Sequence, residues 1–278
     1  MKLLHHTYGK GRVRVMRVHR DGEYHEVREL SIQTMLDGDF AAAYTEGDNR
    51  KVVATDTIKN ITNIVAREAL TAGNEAFGRA LAQRFLSRYP QVARASVTML
   101  ETKWSRASIA GKPHPHAFLL DANGEGYAQI VATRDQVATV SGLKGFTFMK
   151  TTQSGWVGYH MDDTTTLPET TDRLLATAMD ATWTWRAEPA DYARANASVL
   201  DAMLEEFAAT YSRGVQDSLL RMGGAALARV AEVETITLAC PNKHYLPIDL
   251  SRFGLAADNM VFTPTDEPHG QIECTVGR

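Results

Sequence analysis

Apolar and basic residues alternate over 13–18 (Val-Arg-Val-Met-Arg-Val), the period of a half-exposed strand. A second strand-like run covers 27–36, and Asp21-Gly22 between the two supplies the turn of a hairpin. The apolar run 52–55 reads as a short strand leading into a helix. Asp56 or Thr57 is the expected cap of that helix, and Ile58, Ile61, Ile64 and Val65 recur along it at helical spacing. A second helix is predicted over Asn74–Arg88, stopped before Pro90. Residues 95–107 read as a strand and Gly-Lys-Pro-His-Pro-His (111–116) as a polar turn. Strands follow near 117–121, 126–132 and 143–151.

The second half repeats this order. A strand near 178–186 is followed by helices at about 191–211 and 215–230. The run Val-Glu-Thr-Ile-Thr-Leu-Ala then leads into Cys-Pro-Asn-Lys-His, where the strand is expected to end, and a last strand covers 270–276. Each half thus carries strands, two helices and strands again. The pattern predicts an α+β chain in which antiparallel sheets are covered by two helices on one face, with units at 1–138 and 139–278.

Composition narrows the function classes. The 278 residues are 44% hydrophobic, enough for a sizeable core, and the net charge is −3 from 30 Lys+Arg against 33 Asp+Glu. The charges are spread out, which argues against a nucleic-acid partner. No apolar run reaches the ~20 residues of a membrane helix. The first residues lack the apolar stretch of a signal peptide, and the last ones carry no peroxisomal tripeptide. Cys240 and Cys274 lie far apart and read as free thiols. A cytoplasmic protein is the expectation.

Several short stretches hold candidate chemistry beside a plainer reading. Lys10, between Gly9 and Gly11, is a surface lysine or, if partly buried, a base. Thr55, Asp56 and Thr57 form an ordinary cap or a polar site at a helix start. His114 and His116 could clamp a metal from one face, but no Cys or carboxylate nearby completes the set. Trp156, flanked by Gly155 and Gly158, packs in a core or lies flat against a planar ligand, with Arg173 offering a donor fork to an anion. Gln216 can pair with an amide edge. Asn242 and His244 make a plain turn, or hold a small polar molecule and move protons.

Taken in order, Tyr-Gly-Lys, Ala-Thr-Asp-Thr-Ile-Lys-Asn, Gly-Lys-Pro-His-Pro-His-Ala-Phe, Thr-Thr-Leu-x-Glu-Thr-x-Asp-Arg, Asp-Ala-Thr-Trp-x-Trp and Leu-Ala-Cys-Pro-Asn-Lys-His-Tyr resemble the urate oxidase (uricase) family over nearly the whole chain. The resemblance implies two tandem tunnelling-fold units. It further implies a homotetramer whose sheets surround a tunnel, active sites at protomer interfaces, and oxidation of urate by O₂ and water to 5-hydroxyisourate and hydrogen peroxide. The resemblance implies that the reaction needs neither metal nor organic cofactor.

Carried over by motif, the catalytic residues fall on Lys10, Thr55 and His244. Thr55 and Asp56 are expected from a neighbouring protomer, so that Thr55 and Lys10 meet across an interface. Arg173 and Gln216 grip the urate edges, Val215 contributes backbone, Leu167 forms an apolar wall, and Asn242 with Thr55 holds O₂ or water. The family's stretch Ser-x-Phe-x-Gly-Phe is Ser-Gly-Trp-Val-Gly-Tyr here, which puts Trp156 at the stacking position. The missing peroxisomal tail implies a bacterial cytoplasmic form. Two rival classes remain: a metal-dependent tunnelling-fold hydrolase of a pterin or purine nucleotide, and a non-catalytic purine-binding module.

Overall fold

The alternation near the N-terminus becomes β1 (Tyr8–His19), paired antiparallel with β2 (Glu26–Gly38). These elements belong to a computed structural model that describes residues 1–71, 73–256 and 259–278. The chain divides into two compact units, Met1–Lys144 with Ala190–Ala193, and Gly145–Pro189 with Arg194–Arg278.

In the first unit β2 turns Leu30, Ile32 and Leu36 inward, every second residue, and all three are fully buried. A short helix, α1 (Ala41–Thr45), follows, which periodicity did not predict. The stretch 52–54 is not a strand. Val53 N–H donates 2.8 Å to the Tyr8 hydroxyl instead of to a ladder partner. Helix α2 (Thr55–Ala69) starts one residue later, capped by Ala54 with no side-chain bond. Asp56, expected as a cap, lies in the first turn, where its carboxylate binds Lys59 (2.5 Å) and Asn60 (3.0 Å). Ile58, Ile61 and Val65 are buried, but Ile64 is 49% exposed. At ~100° per residue it stands about 120° around the helix from Ile58.

Helix α3 (Asn74–Arg88) occupies its predicted span and buries Phe77, Leu81 and Phe85 over β3 (Val92–Ile109) and β4 (Lys112–Ala132). The β3–β4 turn is Ala110-Gly111, both at positive φ (50° and 77°), so Lys112–His116, expected as the turn, already belong to β4. The two strands predicted at 117–121 and 126–132 are one, interrupted by a register shift opposite Glu101–Lys103 and by left-handed Gly124 (φ 74°). β5 (Val137–Lys150) pairs with β4 and continues into the second unit.

In the second unit β6 (Leu175–Trp185) alternates Met179, Ala181 and Trp183 inward, and the Trp183 indole N–H reaches Asn196 Oδ1 at 3.0 Å. Helices α4 (Tyr192–Ala209) and α5 (Val215–Arg229) follow. β7 (Val233–Pro247) pairs antiparallel with β6 and with β8 (Phe262–Gly277), and α5 lies over β7 and β8. β7 does not end at Pro241 as expected. Its register with β8 shifts between Asn242 and His244, and the strand then continues to Pro247. Among the described residues no helix is long and apolar enough to cross a membrane.

Candidate active site

The sequence-predicted residues fall into two sets. The first lies in the first unit on β1 and the start of α2. Between Lys10 and Val13 the β1–β2 register shifts, with Lys10 opposite Thr34 and Val13 opposite Ile32. Arg12 takes φ 52° in this bulge. A Cβ on Gly9 would fall 1.8 Å from the Thr34 carbonyl oxygen, so only glycine lets the strands approach here. Lys10 is half-buried, and the buried Thr34 hydroxyl opposite it has no partner.

Tyr8 braces this arrangement. Its ring packs edge-on against Phe40 (centroids 4.8 Å, 87°), and its hydroxyl accepts from Val53 N. Burial pushes the phenol up, so it stays neutral. The brace joins the strand carrying Lys10 to the segment entering Thr55. The Asp56 carboxyl is held below its usual range, first by the Lys59 hydrogen bond and, least, by the Lys10 charge. Lys10, Thr55 and Asp56 therefore lie in the same unit, on segments joined by the Tyr8 brace. Thr55 and Asp56 are exposed.

The second set lines a cavity of about 930 Å³ in the second unit: Trp156, Leu167, Arg173, Asn242 and His244. Trp156 and Thr170 exchange backbone bonds (2.7 and 3.1 Å) that close the loop between them, and Leu167 lies in that loop. Arg173 is anchored by its backbone N–H to Ser154 O at 2.8 Å. Its Nε is buried without a partner, and its Cζ stands 5.9 Å from the indole centroid. Burial lowers the guanidinium pKa from its ordinary value. A buried donor left open in this way favours an anion.

Asn242 lies between Thr177 on β6 and Gly270 on β8, at the register shift. The Thr177 hydroxyl donates 2.9 Å to Pro241 O. Lys243 between Asn242 and His244 is engaged with Asp266 at 2.9 Å. Val215 and Asn242 line a smaller pocket of about 20 Å³ beside Cys240, whose thiol burial pushes up to about 11.

Val215 and Gln216 open α5 behind Gly214. A Cβ on Gly214 would lie 2.7 Å from Trp156 Cζ3 and 3.5 Å from Gln216 Oε1, so indole and amide converge on that glycine. Asp217 in the same turn is held at about 2, first by its Arg213 hydrogen bond and then by Arg221. Tyr8 is a side chain that sequence reasoning left without a role, although it sits inside the first quoted motif.

Two other features fall outside both sets. A cleft of about 580 Å³ between β1 and α2 is basic, but Arg14 pairs with Glu29 (2.5 Å) and Arg17 with Ala66 O (3.2 Å). His114 and His116 meet edge-on at 4.6 Å, and among the described residues no three His, Cys, Asp or Glu are grouped to hold a metal.

A family model described as Uricase matches residues 6–131 and 139–273. The chain is 38% identical over 280 residues to a uricase of Dictyostelium discoideum, covering 99% of this chain and 97% of the relative. It is 37% identical over 287 residues to a uricase of Aspergillus flavus, covering 98% and 95%. A crystal structure of uricase from Arthrobacter globiformis superposes with TM-score 0.93 at 36% identity, covering 100% of this chain and 96% of that one.

Proposed function

Because the chain belongs to the uricase family, we propose that it oxidises urate with O₂ and water to 5-hydroxyisourate and hydrogen peroxide, without a cofactor. The observation that carries this reading is the buried, unpartnered Nε of Arg173 in a cavity walled by Trp156. That pairing suits a flat anion. Arg173 and Gln216 bind the polar edges, Trp156 stacks on the ring, Leu167 closes an apolar side, and the Val215 backbone adds a contact. Charge-assisted donors fixed in a dry site favour the dianion.

The dianion gives two electrons to O₂, which takes up the two protons that urate lost to the site and leaves as hydrogen peroxide, while water adds its hydroxyl and its proton to the oxidised ring. Asn242 and Thr55 hold O₂ or water above the ring. The Thr55 hydroxyl is too weak an acid to act unaided, so Lys10 takes its proton, and His244 exchanges protons with Lys10. Asp56 completes the polar edge beside Thr55.

The finer assembly belongs to the same proposal. The chain forms two tunnelling-fold units, divided within β5 (138/139 by the sequence reading, 144/145 by compactness), and four chains form a homotetramer. The grouping of Lys10, Thr55 and Asp56 in one unit supports their arriving together from a neighbouring protomer. Free Cys240 and Cys274 support a reducing compartment such as the cytoplasm. The test is loss of urate's ultraviolet absorbance with O₂ uptake by purified protein, with and without a chelator. Activity is expected in both. Activity abolished by chelation and restored by one metal would refute the proposal.

A further inference from the structure

We propose that Tyr159 is a positioning residue that acts on substrate through Trp156; this rests on the reading that the second-unit cavity takes urate. Trp156 lines that cavity and Tyr159 does not. Their rings nevertheless stack, with centroids 5.5 Å apart and planes 12° from parallel. Tyr159 therefore covers one face of the indole without itself lining the cavity. Gly214 closes on the Cζ3 edge. The indole is thus held on one face by Tyr159 and along one edge by Gly214, with the Arg173 guanidinium 5.9 Å from its centroid.

Tyr159 is itself fixed. Its hydroxyl donates to the Leu167 carbonyl, and Leu167 is another wall of the cavity. The preceding Gly158 N–H donates 2.6 Å to Glu169 Oε1. At the far end of the loop Asp162 Oδ1 accepts from Thr164 N at 2.9 Å. One phenol thus connects the stacking wall to the apolar wall across a loop whose intervening Val157 and Met161 are exposed. A stacked pair at this separation is favourable, and a wall already ordered spares the substrate the cost of ordering it. Such a contribution is made equally before and at the transition state, so it affects KM more than kcat.

The test compares Tyr159→Phe and Tyr159→Leu, each alone and with Trp156→Ala, by steady-state urate oxidation and by anaerobic equilibrium dialysis of urate. Tyr159→Leu is expected to raise KM and the anaerobic Kd together, by about 2- to 12-fold from the range for aromatic pairs. Its kcat should stay within about twofold. Tyr159→Phe keeps the stack, loses only the bond to Leu167 and should fall in between. With Trp156→Ala, Tyr159→Leu should add nothing, because the residue it acts through is gone.

An equal rise in KM with and without Trp156 would overturn the proposal, as would a fall in kcat alone or no change. Should Tyr159→Leu fail to fold, Tyr159→Met, which also removes the aromatic face, decides in both backgrounds by the same criteria. Wild-type protein that binds urate without consuming it would refute the oxidase reading, and the dialysis arm would still decide Tyr159. Wild-type protein that does not bind urate would overturn both.

Discussion

Gly214→Ala measures how tightly the indole is seated. Gly214 has φ 164°, an extended conformation that alanine adopts freely, so the substitution adds no backbone strain. The new methyl would fall 2.7 Å from Trp156 Cζ3 and 3.1 Å from Cε3. Ordinary contact begins near 3.4 Å, so the ring must retreat by about 3.4 − 2.7 = 0.7 Å. Overpacking of this kind costs about 1–3 kcal/mol in a closed core. Trp156 is only half-buried and can move, so about 1 kcal/mol of stability is expected to be lost. Catalysis is more sensitive, since a ~1 Å misplacement costs roughly 100-fold. We expect kcat/KM for urate to fall about 10- to 100-fold while thermal unfolding shifts only a few degrees. Trp156→Phe removes the clashing atoms, so the double variant should recover to within about threefold of Trp156→Phe alone, a coupling that independent sites would not show. Wild-type kcat/KM in Gly214→Ala, or no recovery in the double variant, would refute the reasoning.

Lys10→Met and Thr55→Ala should each lower turnover by about 10²–10⁴-fold, and together little more; losses that multiply cleanly would show that the two act independently. Arg173→Met should raise KM for urate about 10- to 100-fold, in line with ~1.5–3 kcal/mol for a hydrogen bond to a charged group, and an unchanged KM would remove Arg173 from the site. Asp217 is held at about 2 in the fold, below an unfolded value near 3.9. Its contribution is therefore fully present above pH ~4 and is lost as pH falls toward 2. The partner Arg213 is exposed, so the contribution is discounted to about 1 kcal/mol. Asp217→Asn should melt about 2–4 °C below wild type at pH 7, with the gap narrowing between pH 4 and pH 2; a gap constant with pH would count against the ion pair.

What the sequence disclosed was local. Helix α3 and the β1–β2 hairpin were legible because periodicity, Pro90 and Asp21-Gly22 sit within a few residues of what they control. Residues 52–54 misled because two valines look the same in a strand and in a segment whose N–H is taken by a phenol 45 positions earlier. Lys112–His116 misled because prolines suggest a loop, yet they lie at the end of a long strand, with Pro113 paired to Ser108. For the site, the identities came from motif order, not spacing. That Lys10 and Thr55 share a brace, or that Trp156 rests on Gly214, depends on contacts between distant segments that no local pattern encodes.

The Tyr8 brace also bears on how activity responds to concentration. It lies wholly inside one unit, so the segments carrying Lys10 and Thr55 are joined within a single chain. In the proposed tetramer, assembly would then join ready-made surfaces, without coupled folding. On dilution, activity should fade as copies separate while circular dichroism stays unchanged. On re-concentration it should return at a bimolecular rate of about 10⁵–10⁷ M⁻¹s⁻¹, with no lag from chain rearrangement.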